Sequence, residues 1–243
     1  IDTVTQTGKN AATTLKSAFG RYFEVNEKLW NFYDIGEGSG YVRGKTNYSE
    51  SGPGKINEVP WSKYTEDVKN SFADYNDAAI IFISRTGGEN GDLHYSTENN
   101  VDDGGYLSLT QEEKDMLSNV CSDSTFKKVV LVINTGNPLS MKDFEPYVDN
   151  IDACIYMGQC GTSGVNALAE ILVGNESPSG RLSDTLAYDL YSHPSTQNDI
   201  TYYGDDSHKY EYTYSNINGR VSNERYQGHY ICLLYTSPSP RDR

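Results

Sequence analysis

The sequence has few basic residues for its length. Its 20 lysines and arginines stand against 34 aspartates and glutamates, which gives a formal net charge of −14. Nucleic acids and anionic membrane surfaces are recognised through clustered positive charge, so this balance disfavours both as partners. No apolar run approaches the roughly 20 residues that span a bilayer, and we therefore expect no transmembrane segment in this chain. The charge favours a neutral or cationic ligand instead.

Cysteine and histidine are also scarce. No two of the four cysteines form a C-x-x-C pair, and four in a chain of this length argue against a disulfide scaffold. The four histidines are scattered and lack the spacing of metal ligands. We expect neither a metal nor another cofactor, and we expect Cys154, in a predicted strand, to be a small buried apolar residue. Tyrosine, by contrast, is abundant, with 20 residues. Its amphipathic ring suits wet surfaces and sugar-binding clefts.

Three continuous apolar runs of strand length lie in the middle of the chain, separated by segments with helical periodicity. Continuous apolar strands are typical of parallel sheets that are buried on both faces. Strands that alternate with helices predict an α/β fold, here a three-layer α/β/α sandwich with a mostly parallel sheet. We predict neighbouring strands at Ala79–Ser84, Val129–Asn134 and Ala153–Met157. Ligands of such sheets bind beyond the carboxyl ends of the strands.

Helices are indicated on both sides of the first strand. Two are predicted near the amino terminus, at Asn10–Phe19 and Glu24–Asp34. After the first strand, Thr110 and Glu113 have the spacing of a capping box, which predicts a helix start. The last clear helical segment is expected to end at Gly174, because glycine readily adopts the left-handed conformation that follows a helix.

Composition divides the chain into four predicted regions. Within the first, the stretch from residue 36 to 60 is rich in Gly, Ser, Asn and Lys and predicts a long surface loop. The final stretch, "CLLYTSPSPRDR", resembles a translated library or sequencing adapter, and we expect it to be a non-native tail. The regions are the N-terminal helices and long loop (1–76), the core of the sandwich (77–193), an irregular Tyr-rich extension (194–231) and the tail (232–243).

A glycine-rich loop with one central glutamate follows the first strand, in "SRTGGENGDLHYS". The loop is neither a G-x-G-x-x-G fingerprint nor a P-loop, and Glu89 would repel a phosphate. A carboxyl at a strand end can act as a general acid or base if its pKa is raised. By pattern alone, a solvated loop glutamate is the simpler interpretation. Ser163 in "GTSGV" lacks the second glycine of a nucleophile elbow and is not favoured as a nucleophile.

Four blocks of sequence together resemble one known family. They are "AAIIFISRTGGENGDL", "YLSLTQEEKDML", "FKKVVLVINTGNPLSM" and "DNIDACIYMGQCGTSGVNALAEILVGNESPSGRLSDTLAYD". In this order they resemble the second, α/β-sandwich domain of family-three glycoside hydrolases, which are β-glucosidases and their relatives. The resemblance covers about 77–189, and the upstream stretches "GSGYVR" and "EVPWSKY" are similar to bacterial members in which this domain precedes the barrel.

The resemblance implies a role for the glycine-rich loop. Many members take their general acid/base from the glutamate of a Gly-Glu-Gly-type loop after this strand, and Glu89 matches that position. Arg85, Gly88, Asp92 and His94 are the residues expected to bind substrate, and Arg85 and Asp92 are expected to orient Glu89 or to contact sugar hydroxyls. A retaining glycosidase also needs a second carboxyl group, about 5–5.5 Å from the acid/base, as nucleophile.

The resemblance also implies that the nucleophile lies elsewhere. The family takes its nucleophilic aspartate from a separate (β/α)-barrel, which would need at least ~200 further residues. We therefore expect this chain to be a fragment of a retaining β-glycosidase, inactive alone, whose partners are that barrel and a β-linked oligosaccharide or glucoside. Two alternatives stay open: a carbohydrate-binding module without chemistry, and a structural interaction domain. The cell compartment is not predicted.

Overall fold

The computed structural model describes residues 13–41, 56–85, 107–183 and 185–189, together with the backbone of strands at 210–215 and 221–226. Five α-helices and five strands occur in this part of the chain. The helices are α1 (Leu15–Phe19), α2 (Glu27–Asp34), α3 (Glu66–Ser71), α4 (Gln111–Ser122) and α5 (Val165–Leu172). The strands are β1 (Ala79–Ser84), β2 (Val129–Asn134), β3 (Ala153–Tyr156), β4 (Tyr210–Ser215) and β5 (Val221–Tyr226).

The first three strands form one sheet in the order β1-β2-β3, and both pairings are parallel. Ala79 is level with Val129 and Val130 is level with Ala153, so the three strands run side by side along their length. This confirms the predicted α/β fold with a parallel sheet, although β3 ends one residue earlier than predicted. Strands β4 and β5 form a separate antiparallel pair.

Helices cover both faces of the sheet, which confirms the three-layer arrangement. Successive residues of β1 and β2 point to opposite faces, as the period of two in a strand requires. One face packs against α4 and a 3₁₀ helix at Met141–Asn150, through Ile81, Ile83, Leu131 and Ile133. The other packs against α1 and α5, through Ile80, Phe82, Val130 and Val132.

The residues that cap the helices explain where the helices begin and end. The capping box that was predicted at Thr110 and Glu113 is present at the start of α4, and Gly174 follows α5 with a positive φ of 78°. Helix α2 begins three residues later than predicted because the Asn26 side chain accepts hydrogen bonds from the first free N–H groups. Helix α1 begins after Thr14, which caps it in the same way.

Two expectations about burial are wrong. Cys154 is exposed, because the hydrophobic cluster on its face of the sheet, which includes the level residue Leu131, contains no residue of β3. The stretch that was predicted as a surface loop includes Ile56 and Val59, which are buried. Val59 packs with Phe32 and Tyr64 in a cluster of aromatic side chains. The division of the chain into four regions remains a prediction.

The core between the sheet and α4 should dominate stability. Leu117 of α4 is 0% exposed, so its truncation to alanine leaves a cavity that neighbouring side chains fill only in part. We expect Leu117→Ala to lower the free energy of unfolding by about 2–5 kcal/mol, measured by urea denaturation. Leu182→Ala, at a position 55% exposed, is the control and should change it by less than about 0.5 kcal/mol. Equal losses in the two variants would contradict this packing.

Candidate active-site edge

The carboxyl ends of the three parallel strands meet at one edge of the sheet. Ser84 at the end of β1 is level with Asn134 at the end of β2, and the last residue of β3, Tyr156, is level with the residue before Asn134. The side-chain amide of Asn134 donates to the Ser84 hydroxyl across this edge, at 3.3 Å. In open α/β sheets this is the edge at which ligands bind.

The predicted site residues begin at this edge. Arg85 directly follows β1, and its N–H donates to the Asn134 carbonyl at 3.3 Å, which continues the strand pairing by one residue. Gly88, Glu89, Asp92 and His94 lie outside the described residues. Their assignment as acid/base and substrate-binding residues remains a prediction.

The Arg85 guanidinium is buried and held on several sides. Its side chain is 0% exposed, and its two terminal nitrogens donate to the two carboxylate oxygens of Glu113 at 2.7 and 2.8 Å. The same nitrogens also donate to the carbonyls of Ser84, at 2.9 Å, and Ser108, at 2.6 Å. Such a bidentate pair fixes orientation as well as distance, because the guanidinium is a rigid planar fork.

Glu113 links this ion pair to the start of helix α4. Its side chain is 5% exposed, and one carboxylate oxygen also accepts from the Thr110 N–H at 2.9 Å. The sequence pattern predicted only this capping role. No local signal indicates the partnership with Arg85, because the two residues are 28 positions apart. Removing one member of a buried pair typically costs about 3–5 kcal/mol, since the other charge is left uncompensated.

Further contacts fix the chain that leads into α4. The Leu107 carbonyl accepts from the Ser140 N–H at 2.9 Å, and the Leu109 N–H donates to an Asp143 carboxylate oxygen at 2.9 Å. Ser140 and Asp143 both lie after β2. The segments that follow β1 and β2 are therefore joined beyond the sheet edge.

One buried donor near this edge is an exception to the usual pairing of polar groups. The side-chain nitrogen of Asn137 makes no hydrogen bond to the described residues, although the backbone of the same residue is fixed by the Thr135 hydroxyl. Buried polar groups are nearly always paired.

A second buried carboxyl lies in the aromatic cluster beside α2. The Tyr33 hydroxyl donates to Glu58 at 2.9 Å, and so does the Val59 N–H, at 2.8 Å. Tyr33 also forms a hydrogen bond with Tyr64. Because the Tyr33 proton is directed to the carboxylate, the Tyr64 hydroxyl is the donor in that second bond.

Burial raises the pKa of Glu58 above its ordinary value. The two hydrogen bonds from Val59 and Tyr33 oppose this shift, and the negative charge of Glu113 adds to it. Burial also raises the pKa of Tyr33 and Tyr64 well above the ordinary value for tyrosine. Both hydroxyls therefore remain protonated donors at neutral pH. The sequence pattern did not indicate this cluster, because part of it lies in the predicted surface loop.

Within the described part of the chain, no three His, Cys, Asp or Glu side chains are grouped so that they could hold a metal ion. No helix of the described residues has the length and apolar character needed to cross a bilayer.

The sequence matches one known protein family over most of its length. The model of the glycosyl hydrolase family 3 C-terminal domain matches residues 2–229, which is nearly the whole chain. The chain belongs to this family. The resemblance that the four sequence blocks indicated is confirmed, and the sheet edge described above is that of a family 3 C-terminal domain.

Several curated relatives of this family 3 domain are named β-glucosidases. A β-glucosidase of Ruminococcus albus is 35% identical over 158 residues, which are 60% of this chain and 15% of that protein. β-Glucosidase A of Butyrivibrio fibrisolvens is 34% identical over 160 residues, which are 60% of this chain and 19% of that protein. The chain thus matches less than a fifth of the length of these relatives.

Solved structures show the same fold. A β-glucosidase from Paenibacillus barengoltzii matches with a TM-score of 0.62 and 26% identity, over 77% of this chain and 19% of that one. β-Glucosidase 3B from Thermotoga neapolitana, in complex with glucose, matches with a TM-score of 0.58 and 25% identity, over 78% of this chain and 25% of that one.

Glu58 should make the stability of this family 3 domain depend on pH. Its folded-state pKa is raised, so the folded chain binds the proton more tightly than the unfolded chain does. Stability is therefore lost as pH rises from the ordinary carboxyl pKa towards the raised one. Glu58→Gln keeps an acceptor oxygen but cannot ionise, and its free energy of unfolding should rise relative to wild type as the pH rises above the ordinary carboxyl pKa. One pKa unit corresponds to about 1.4 kcal/mol.

The comparison uses urea unfolding of both proteins at several pH values. Glu176→Gln removes an exposed carboxylate and controls for the change in net charge. A stability difference between wild type and Glu58→Gln that does not change with pH would contradict the raised pKa.

Proposed function

We propose that this chain supplies the general acid/base, Glu89, and part of the sugar-binding cleft of a retaining β-glycosidase. The nucleophile would come from a (β/α)-barrel domain of the same protein. Membership in the glycosyl hydrolase family 3 C-terminal domain supports the proposal. So do the relatives that are named β-glucosidases, each of which is several times longer than the matched segment.

The observation that carries the proposal is the position of the described residues on either side of the segment that contains Glu89. Arg85 is the last described residue before that segment, and Leu107 is the first described residue after it. Arg85 continues β1 at its carboxyl end. The Leu107 carbonyl is bonded to Ser140, which follows β2. Both attachment points thus lie at the edge where open α/β sheets bind ligands.

The chemistry divides between two carboxyl groups. The barrel aspartate attacks the anomeric carbon while protonated Glu89 gives its proton to the glycosidic oxygen, so the C–O bond breaks and a glycosyl-enzyme forms. The resulting Glu89 carboxylate then takes a proton from water, and the water oxygen attacks the anomeric carbon. The sugar is released with retained configuration and both carboxyl groups return to their starting forms.

The other predicted residues have supporting roles in this proposal. Gly88 lets the backbone approach the sugar closely, and Asp92 and His94 offer hydrogen bonds to sugar hydroxyls. The substrate class is a β-linked oligosaccharide or glucoside. For Arg85, the contacts with Glu113 and Ser108 favour holding the loop over touching the sugar.

The chain alone should not hydrolyse aryl β-glucosides at a useful rate. The double-displacement route needs a nucleophile that forms the glycosyl-enzyme, and this is assigned to the barrel. Release of nitrophenol by purified chain should equal that of a Glu89→Gln chain prepared in parallel, which reports contaminating enzyme. Turnover by the isolated chain that requires Glu89 would contradict the assignment of the nucleophile to the barrel. Sugar binding without hydrolysis, both in the isolated chain and in the full-length protein, would favour a carbohydrate-binding module.

In a full-length protein that joins this chain to its barrel, the loss of activity caused by Glu89→Ala should depend on the leaving group of the substrate. The value of kcat/KM for cellobiose, whose leaving oxygen needs a proton, should fall by roughly 10²–10⁴-fold. For dinitrophenyl β-glucoside, whose leaving group needs none, kcat/KM should change little. Azide should raise kcat of the variant by attacking the glycosyl-enzyme, and the product should be a β-glucosyl azide.

Glu98→Ala is the matched control, because it removes a carboxylate from the same segment at a residue with no proposed role. It should show neither this leaving-group dependence nor azide rescue. Equal losses on both substrates for Glu89→Ala, without rescue, would remove the acid/base role from Glu89, and a selective loss in a control variant would assign it there.

A further inference from the structure

Neutral polar side chains line the carboxyl edge of the sheet across its strands. Ser84 ends β1 and Asn134 ends β2, and the Asn134 amide donates to the Ser84 hydroxyl at 3.3 Å. Gln159, after β3, lies beside Gly136 of the segment that follows β2. A Cβ atom at Gly136 would stand 3.2 Å from the Gln159 side-chain nitrogen, closer than side chains normally approach. Polar side chains thus extend from the end of β1 to the segment after β3.

Tyr156, at the end of β3, adds an aromatic ring to this edge. It is 37% exposed and belongs to none of the three hydrophobic clusters of the described residues. A Cβ atom at Gly158 would stand 3.9 Å from the ring carbon Cε1 of Tyr156, so the ring lies over the backbone of the turn after the strand. Gly158 has a positive φ of 63°, which glycine adopts without strain. The ring is therefore presented at the strand end and is not packed between sheet and helices.

The chemistry of these side chains fits a neutral sugar. The amides of Asn134 and Gln159 each carry two N–H donors and an acceptor oxygen, and a sugar hydroxyl both donates and accepts. The C–H groups on the face of a pyranose ring can pack against an aromatic ring such as that of Tyr156. A phosphate would need a positive charge here, and the guanidinium of Arg85 is already paired with Glu113.

We propose that this edge is a sugar-binding site formed by Tyr156, Gln159 and Asn134. The Tyr156 ring stacks on a pyranose ring, and the two side-chain amides form hydrogen bonds with its hydroxyls. Gly136 leaves the room that the Gln159 side chain occupies, and the Ser84 hydroxyl orients Asn134. The inference rests on the proposed function in that the ligand is a unit of the β-linked substrate. It does not depend on which carboxyl group is the acid/base.

The test measures the Kd of thiocellobiose, a sulfur-linked analogue that resists hydrolysis, by titration calorimetry of the full-length protein. Tyr156→Ala and Gln159→Ala should each raise the Kd by roughly 2- to 10-fold, the loss expected for one stacking contact or one hydrogen bond. Tyr156→Phe keeps the ring and should bind within about twofold of wild type. Gly136→Ala crowds the Gln159 amide and should weaken binding less than Gln159→Ala does.

Two variants away from this edge are the matched controls. Tyr22→Ala removes a tyrosine of similar exposure, 39%, whose hydroxyl donates to Glu170 of α5. Asn119→Ala removes a side-chain amide in the second half of α4, where it donates to the Asp115 carbonyl. Both should leave the Kd of thiocellobiose unchanged. Circular dichroism of every variant checks that the fold is retained, which the exposure of Tyr156 and Gln159 favours.

Glu89→Ala is assayed in parallel by its leaving-group dependence, which separates two kinds of failure. The sugar site is overturned if folded Tyr156→Ala and Gln159→Ala bind as wild type does, or if Tyr22→Ala weakens binding equally. It is also overturned if the full-length protein does not bind thiocellobiose. In these cases the role of Glu89 is decided by its own assay. If the edge variants weaken binding but Glu89→Ala shows no selectivity, the sugar site stands and the acid/base assignment fails.

Discussion

The structure depends on the parallel pairing of β1, β2 and β3. Because the strands run in one direction and in near-level register, their carboxyl ends form one edge and the segments that follow them become neighbours. Strand β2 lies between the other two and has buried side chains on both faces, including Leu131, Val132 and Ile133. The helices on either side are arranged around this central strand.

The same pairing explains why a charged network exists next to an apolar core. Arg85 extends β1 by one residue and reaches Glu113 at the start of α4, and Asp143, after β2, fixes the chain that leads into that helix. The buried polar groups of Arg85 and Glu113 are thus bonded to each other and to backbone groups. This network connects the end of β1 to the start of α4, and the segment that is proposed to perform the chemistry lies between these two points in the sequence.

Local sequence patterns predicted the elements but not their tertiary partners. Strands β1 and β2 match their predicted bounds because an apolar run that ends in polar residues marks a doubly buried strand. The capping box at Thr110 and Glu113 is equally local. Other features arise only when distant segments of the chain meet. They are the ion pair of Glu113 with Arg85, the unpaired side-chain nitrogen of Asn137 among the described residues, and the burial of Glu58. The expected burial of Cys154 is wrong for a related reason: an apolar strand pattern does not tell how far the packing on each face of the sheet extends.

The most direct test of the central claim is a crystal structure of the full-length protein trapped as a glycosyl-enzyme with a fluorinated glucoside. In a retaining enzyme the two catalytic carboxyl groups lie about 5–5.5 Å apart. The proposal predicts that separation between the Glu89 carboxyl and the aspartate that holds the sugar, with Arg85 still paired to Glu113. A different carboxyl group at that distance, with Glu89 turned away from the sugar, would contradict it.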